Sequence, residues 1–423
     1  GPMMVVRGEG IYLYDDQDKQ YIDGLAGLWC TSLGNANEEL AQVAYEQMKK
    51  LSYAHLFTDK THEGATRLAE KLKAMVPGNF SKVFFGLSGS DANDTQIKLI
   101  RYYNNAIGRP EKKKIISRKK AYHGITYLAA NVAGLDPMHQ GFDLPIEGFL
   151  HTDCPHYFRF AEAGESEDEF TTRLADNLEK MILNEGPETV AAFIAEPIMG
   201  AGGVLVPPDS YFPKIQQVLK KYEVLFIDDE VITGFGRTGN WFGSHTYNIE
   251  PDSMSMAKGM TSGYQALSAV AVGPRMGDVL FNADEEWSHG FTYSGHPVAC
   301  AVALANIDII EREKLVEKTG GEIGDYFQKK LSELDSHPLI GQTRGVGLLG
   351  AMELVKDKET RERFGNAGGV CRDHCFENGL IMRAIGDTMV LSPPLSITTP
   401  EIDELFGLAV NALDLTAESL GVV

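Results

Sequence analysis

The chain has 423 residues and a formal net charge of −20, from 59 acidic and 39 basic side chains. This length accommodates more than one domain, and the composition, 43% hydrophobic and 23% charged, is ordinary for a globular protein. The acidic excess argues against a nucleic-acid partner, because phosphate backbones are bound by clustered lysine and arginine. No apolar run approaches the roughly 20 residues that cross a bilayer, so no membrane insertion is expected.

The first predicted elements are a β-hairpin and two helices. Residues 4–15 alternate between apolar and polar side chains around a glycine turn, which is typical of a hairpin. The apolar spacing then changes to the helical period, first between residues 40 and 51 and again between residues 65 and 72.

Short apolar runs then alternate with helical stretches. Runs that are apolar on both faces and separated by helices indicate a mostly parallel sheet with helices on both sides, an α/β fold. The predicted strands cover residues 82–85, 114–117, 190–195, 224–228 and 266–272. Ligands of such sheets bind beyond the carboxyl ends of the strands. Polar residues stand at those ends, at 88–90, 122–124, Glu196 and Asp229.

The pattern changes after Pro297. The predicted elements there are a helix at 299–315, one strand at 345–354, a helix at 367–377, strands at 380–384 and 389–391, and a helix at 402–419. We expect a smaller α+β domain built from both ends of the chain. The predicted division is residues 1–45 for the N-terminal part of the small domain, 46–296 for the large domain and 297–423 for the C-terminal part.

Asp229 and Lys258 are the most informative pair. Asp229 follows a buried run, and Lys258 comes about 30 residues later among small and apolar neighbours. A carboxylate at a strand end and a lysine on a following loop suit a cofactor that needs a protonated ring nitrogen and an imine-forming amine. Pyridoxal phosphate is such a cofactor. A metal ligand or a helix cap is the alternative for Asp229, although no nearby histidine triad supports a metal, and most lysines simply face solvent.

The segment 86–91 follows a predicted strand and opens a helix. Its small residues leave backbone N–H groups free, and a helix N-terminus favours an anion such as a phosphate. An ordinary helix cap is the alternative. Ser90 stands where the second glycine of a G-x-S-x-G elbow would be, which argues against a serine hydrolase.

Two further patterns are weaker. Residues 234–239 match G-x-G-x-x-G, but no amphipathic helix follows, so a dinucleotide site is not expected. Cys371, His374 and Cys375 resemble part of a zinc site, yet no second pair of ligands is visible, so no metal is predicted. The five cysteines are scattered and form no disulfide framework, which favours a cytoplasmic location. His289 and His296 are interpreted as structural.

Taken together, these motifs resemble the class III (ω-type) aminotransferases, which are fold-type I pyridoxal-phosphate enzymes, over nearly the whole chain. Two segments resemble the amine–pyruvate branch, 27–30 and 380–384. The motifs that carry the family resemblance are residues 88–94, 121–124, 195–198, 227–239, 257–259 and 291–297.

The resemblance implies roles around the cofactor. Lys258 would bind it covalently and move a proton, and Asp229 would pair with the ring nitrogen. Tyr122 would stack on one ring face and Val231 would pack on the other. The remaining cofactor-binding residues implied by the family motifs are Gly89, Ser90, Asp91, His123, Glu196 and Thr292.

The resemblance also implies substrate contacts and an assembly. Trp29 and Phe57 would be aromatic walls, Tyr122 would border the substrate, and Arg383 would clamp a carboxylate. Thr292 would reach the phosphate of the neighbouring subunit, so a homodimer with shared sites is expected, with a tetramer left open. Asp228 precedes Asp229 where a small residue is usual, so the acid at the ring could be displaced by one; strand alternation favours Asp229.

The predicted activity is amino transfer from a primary amine or ω-amino acid to a keto acid such as pyruvate, with the cofactor passing through its pyridoxamine form. Two alternatives remain at this point. One is a different pyridoxal-phosphate reaction on the same fold, either decarboxylation or an amino shift within one molecule. The other is a binding protein that kept the fold without the chemistry.

Overall fold

The computed structural model describes residues 3–282 and 287–422. The chain begins with a small antiparallel sheet, as the alternating pattern predicts. Its strands are β1 Val5–Glu9, β2 Tyr12–Asp15 and β3 Gln20–Asp23. Gly10 makes the turn between β1 and β2 at φ +55°, a conformation that glycine adopts without a steric penalty.

A seven-stranded sheet forms the centre of the molecule, in the spatial order β4-β10-β9-β8-β7-β5-β6. Every strand runs in the same direction except β10, which is antiparallel to both its neighbours. The strands are β4 Lys82–Gly86, β5 Lys114–Arg118, β6 Phe149–Thr152, β7 Val190–Ala195, β8 Leu225–Asp229, β9 Ser253–Met256 and β10 Ser268–Val272.

All five predicted strands of this sheet are present, and two more were missed. The sequence of β9 alternates serine with methionine, and β6 carries His151 and Thr152, so neither has the continuous apolar run used to find the others. In β9 even the serines are buried. In β9, burial on both faces rather than side-chain polarity therefore defines the strand.

Helices cover both sides of the central sheet. The helix α4 begins directly after β4, and its first turn is closed by a reciprocal capping pair, Ser88 and Asp91. The helices in this part are α1 Ala26–Trp29, α2 Glu38–Lys50, α3 Glu63–Met75, α4 Gly89–Ala106, α5 Tyr127–Val132, α6 Tyr157–Phe160, α7 Glu167–Glu185, α8 Tyr211–Lys221, α9 Gly243–Tyr247 and α10 Pro274–Asn282.

The C-terminal part contains a four-stranded sheet in the order β11-β12-β15-β14, with helices packed against it. Its elements and the strand β13 are α11 Pro297–Arg312, α12 Leu315–Thr319, α13 Glu322–Glu333, β11 Ile340–Val346, β12 Leu349–Leu354, α14 Ala367–Glu377, β13 Leu380–Ile381, β14 Arg383–Ile385, β15 Thr388–Leu391 and α15 Thr399–Leu420. The single strand predicted at 345–354 is wrong. Gly347, at φ +58°, turns the chain there and makes a β-hairpin of β11 and β12.

The two ends of the chain meet in one sheet. The strand β13 pairs in parallel with β3, Leu380 lying opposite Ile22. The fold is thus the expected α/β fold, with a mostly parallel central sheet and a smaller α+β part that both termini build. The division at residues 45 and 296 stays a prediction. Within the described residues, each helix is either too short or too polar to traverse a lipid bilayer.

Candidate active site

A cavity of about 400 Å³ lies beyond the carboxyl ends of the central strands. Parallel strands bring their C-terminal residues to one edge, and the register places Asp229 of β8 opposite Ser255 of β9, three residues before Lys258. The residues that line the cavity and were named from the sequence are Gly89, Ser90, Tyr122, His123, Glu196, Asp229, Val231 and Lys258.

The Asp229 carboxylate is fixed by three donors. Its Oδ2 accepts hydrogen bonds from Asn93 Nδ2 and His123 Nδ1, both at 2.8 Å, and its Oδ1 accepts from the Val231 backbone N–H at 3.1 Å. The side chain is nearly buried. Because a carboxylate only accepts, His123 donates through Nδ1. The charge of Asp229 is therefore held at one place on the cavity wall.

Asp228, the neighbouring acid, lies on the opposite face of β8. It is fully buried, and it is not among the residues that line the cavity. Burial raises the pKa of the Asp228 carboxyl well above its ordinary value, and the nearby Glu230 raises it further. The alternation of side chains along β8 thus gives the cavity one carboxylate from this pair, that of Asp229.

Lys258 extends into the cavity from the turn that follows β9. Its backbone is left-handed, with φ +47°. Burial lowers the pKa of the Lys258 amine, while the carboxylates of Asp229 and Glu196 act in the opposite direction. A buried amine with a lowered pKa is more often unprotonated and so more nucleophilic.

The N-terminus of α4 forms another wall. Gly89 and Ser90 occupy its first two positions, whose N–H groups have no acceptor within the helix. A Cβ on Gly89 would stand 2.8 Å from a methyl group of Val231, so a glycine is needed for this close approach. The free N–H groups and the helix dipole make this wall suited to an anion.

Asp91, expected among the cofactor-binding residues, directs its carboxylate into the loop. It accepts from the backbone N–H groups of Leu87 and Ser88 at 3.0 Å and from the Ser268 hydroxyl at 2.9 Å. The side chain therefore shapes the loop and does not line the cavity.

Glu196 lies at the base of the cavity and supports Tyr122. Its Oε1 accepts from the Tyr122 backbone N–H and its Oε2 accepts from the Gly200 N–H, both at 3.0 Å. Burial raises the pKa of the Glu196 carboxyl, and this is partly offset by His123.

Trp29 and Arg383 lie beside the cavity but do not line it. The Lys258 Nζ and the Arg383 guanidinium carbon each lie 5.4 Å from the centre of the Trp29 ring. The indole is buried. The Trp29 ring therefore lies close to both the Lys258 amine and the Arg383 guanidinium.

Phe57 and Thr292 do not line the cavity of their own chain. Thr292 is exposed, and its carbonyl accepts a hydrogen bond from the Tyr53 hydroxyl at 2.8 Å. The Phe57 side chain is also exposed and lies against Gly290. The segments that carry these two residues therefore lie together on the surface.

Asn93 lines the cavity and holds Asp229, yet it was not among the residues named from the sequence. Its Nδ2 donates to the His123 carbonyl at 2.7 Å as well as to Asp229. It belongs to the motif 88–94 and lies one helical turn after Ser90, on the same face of α4. That spacing was the signal that could have identified it.

The residues present fit pyridoxal phosphate. The start of α4, the side chains of Tyr122 and Val231, the fixed carboxylate of Asp229 and the half-buried Lys258 surround one cavity. The Nε2 of His123 and the Oδ1 of Asn93 are buried there without a hydrogen-bond partner, as expected where a polar group is to be bound.

Comparison with known proteins agrees with this geometry. The family model described as aminotransferase class-III matches residues 1–413. The chain belongs to the class-III aminotransferase family. Class-III aminotransferases use pyridoxal phosphate, and the similarity of this chain to named aminotransferases supports amino transfer over decarboxylation, an amino shift within one molecule or loss of catalysis.

Similar proteins include several aminotransferases. A putrescine–pyruvate aminotransferase of Pseudomonas aeruginosa is 49% identical over 99% of this chain and 92% of its own. A vanillin aminotransferase of Capsicum annuum is 47% identical, over 97% of this chain and 91% of its own. The crystal structure of the ω-transaminase from Pseudomonas jessenii in complex with PMP superposes with a TM-score of 0.98 at 48% identity, covering 100% of this chain and 94% of that one.

Proposed function

We propose that this aminotransferase moves the amino group of a primary amine or ω-amino acid to pyruvate. The observation that carries the proposal is the convergence of the Lys258 amine and the Asp229 carboxylate on one cavity. The names of similar proteins support the choice of substrates, since they include a putrescine–pyruvate aminotransferase and γ-aminobutyrate transaminases.

Asp229 and Lys258 take the central roles. When bound, pyridoxal phosphate supplies an aldehyde that reacts with amines and a pyridinium ring that withdraws electrons. A carboxylate in direct contact with a cation gains roughly 5–6 kcal/mol at an effective dielectric of about 20, before desolvation is subtracted. Asp229 would therefore keep the ring nitrogen protonated. The Lys258 Nζ would bind the cofactor and, as a free amine, would carry the proton released from the substrate carbon.

Other residues of the cavity would hold pyridoxal phosphate in place. Gly89 and Ser90 would hold the phosphate at the start of α4, and Asp91 would keep the loop in shape. Tyr122 would stack on one ring face, and Val231 would pack on the other.

His123 and Glu196 would act on the cofactor ring indirectly, through the residues that contact it. His123 fixes the Asp229 carboxylate from Nδ1, and Glu196 supports the backbone of Tyr122.

Arg383 and Trp29 would define the substrate region. The guanidinium near the Trp29 ring offers two parallel N–H groups to a carboxylate such as that of pyruvate. The apolar indole suits the carbon chain or ring of an amine donor. The proposed acceptor is therefore an α-keto acid, and the donor lacks a carboxylate at its reacting carbon.

A homodimer with shared sites is part of the proposal. Phe57 and Thr292 do not line the cavity of their own chain, and both are exposed on one surface. Leu28, which lines the cavity, is also exposed. A second copy on this surface would bury them and bring Phe57 and Thr292 to its neighbour's cavity. The scattered free cysteines support a cytoplasmic location.

The first test replaces Lys258 with alanine. We expect the formation of alanine from pyruvate and an amine donor to fall by at least about a thousandfold, because covalent catalysis and proton transfer are both lost. The purified wild-type protein is also reduced with borohydride and digested. Mass spectrometry is expected to find the cofactor on the peptide that contains Lys258.

Lys356, a surface lysine paired with Glu362, provides the control. Lys356→Ala is expected to retain wild-type turnover and labelling. Turnover by Lys258→Ala at the wild-type rate, or a label on a different peptide, would show that the assignment is wrong.

A further inference from the structure

His289 lies between the two elements that flank the anion-binding loop 87–90. Its ring stacks on Phe84 of β4, with the ring centres 5.1 Å apart and the planes 29° apart. On the other side it contacts α4 through Thr95 and Lys98. The strand that leads into the loop and the helix that leaves it are thus joined by one side chain.

The hydrogen bonds of His289 have a determined direction. A lysine ammonium only donates, so the Lys98 Nζ, at 2.8 Å, donates to Nδ1 of His289. The neutral ring then carries its proton on Nε2 and donates to the Thr95 hydroxyl, also at 2.8 Å. Thr95 donates in turn to the Asp91 carbonyl at 2.8 Å. This chain of three hydrogen bonds ends in the first turn of α4.

The neutral state of the ring is consistent with its surroundings. Burial lowers the pKa of His289 to about 4, and the nearby Lys98 lowers it as well. The ring also lies close to Trp287 and Phe291, at centre distances of 4.8 and 5.3 Å. His289 therefore anchors the segment 287–291 to the central fold by stacking and hydrogen bonding together.

We propose that His289 is a positioning residue for the cofactor phosphate, which holds the first turn of α4 in its binding geometry through Thr95. The inference rests on the proposed function, since it assumes that the phosphate is bound at residues 89–91. His289 itself does not line the cavity. Its effect is expected on the retention of the phosphate group and not on the chemistry at Lys258.

The contacts of His289 have a second consequence. The segment 287–291 leads directly to Thr292, which the proposed dimer would present to the neighbouring cavity. Because this segment packs on α4, it would connect the phosphate-binding loop of one chain with Thr292, which would contact the phosphate of the partner chain.

The test measures release of pyridoxamine phosphate, which has the phosphate but no covalent link to Lys258. Protein loaded with it is diluted into buffer with inorganic phosphate as competitor, and the loss of bound cofactor absorbance is followed. His289→Phe keeps the stacking and removes the hydrogen bonds, whereas Thr95→Val breaks the same chain from α4. We expect each to release the cofactor about tenfold faster, in keeping with one or two lost hydrogen bonds.

Two further variants separate positioning from general stability. His289→Gln can place a donor near the Thr95 hydroxyl, so its release rate is expected within about threefold of wild type. His337→Phe makes the same substitution at a histidine paired with Asp414, far along the chain from the loop, and is expected to release at the wild-type rate. Urea midpoints of all variants identify any change that merely follows unfolding.

Release by both His289→Phe and Thr95→Val within twofold of wild type would overturn the proposal. So would faster release that only parallels a lower urea midpoint. Failure of the proposed function is a different result, because the wild-type protein would then take up no pyridoxamine phosphate at all.

Discussion

Asp228 and Asp229 are adjacent acids with opposite surroundings. Asp229 accepts three hydrogen bonds at the cavity, whereas the carboxyl oxygens of Asp228 are fully buried without a hydrogen-bond partner in the described structure. Strand geometry alone separates the two, since successive side chains of β8 point to opposite faces. The sequence could identify the better candidate because this rule holds wherever a strand is buried on both faces.

Asp228 makes the stability dependent on pH. Its raised pKa in the folded chain means that the folded state holds a proton that the unfolded chain releases above about pH 4. The stability associated with this proton is complete below that pH and is lost as the pH rises towards the folded pKa. Asp228→Asn keeps the size of the side chain and removes the titration.

We therefore expect Asp228→Asn to gain stability relative to wild type as the pH increases from 5 to 9. The gain is at most about 1.4 kcal/mol per pH unit. Urea unfolding at several pH values measures it, with replacement of the exposed Asp16 by asparagine as control. A difference between Asp228→Asn and wild type that does not change with pH would contradict the expectation.

At the scale of elements, the start of α4 combines a structural cap with a binding surface. Ser88 accepts from the Asp91 N–H, and Asp91 accepts from the Ser88 N–H. The helix α7 begins with the same reciprocal arrangement, formed by Ser166 and Glu169 on the surface. The described residues therefore contain one capping box at the cavity and others remote from it, among them that of α7.

The capping boxes of α4 and α7 allow a matched comparison. Ser88→Ala and Ser166→Ala each remove a cap and are expected to lower the free energy of unfolding by about 1 kcal/mol. Ser88→Ala alone is expected to weaken binding of pyridoxamine phosphate, by about threefold to tenfold in the dissociation constant. Calorimetric titration of both variants checks this. Equal affinities would indicate that the cap does not shape the binding loop.

The elements show what sequence patterns can and cannot predict. The helices at 40–51, 65–72 and 367–377 and five strands of the central sheet followed from periodicity, because one face or both faces of each element are buried. The strand β9 was missed because its serines are polar although buried. The hairpin of β11 and β12 was read as one strand because its turn is only two residues long, with Gly347 and Leu348 between the strands.

The candidate site, too, could be predicted from the sequence only in part. Lys258, Asp229 and the loop at 88–91 could be named because each follows a strand, and strand ends meet at one edge. Asn93 was missed because its role depends on which face of α4 meets β8. His289 was interpreted as structural, and its contacts with Phe84 and Thr95 join residues about 200 positions apart, which no local pattern encodes.

At the scale of the whole molecule, sharing of sites between two chains can be tested directly. In the proposed dimer, each cavity uses Lys258 of one chain and Thr292 of the other. Thr292→Glu would place a carboxylate against the phosphate and is expected to reduce activity strongly. A mixture of Lys258→Ala and Thr292→Glu chains then contains heterodimers with one fully wild-type site.

We expect unfolding and refolding of the mixed chains to restore activity that neither variant has alone. If half of the dimers are mixed and each has one intact site, about a quarter of wild-type activity returns. Turnover of the refolded mixture is compared with that of each variant treated alone. Activity no higher than that of the two separate variants would exclude shared sites of this kind.

The left-handed backbone of Lys258 has a consequence for how this protein can change over generations. A non-glycine residue in that conformation costs roughly 1–2 kcal/mol, and its buried amine adds a desolvation cost in the cofactor-free chain. Glycine at this position would relieve both. Pressure for thermal robustness alone would thus favour loss of the reactive amine, so only selection for turnover preserves it.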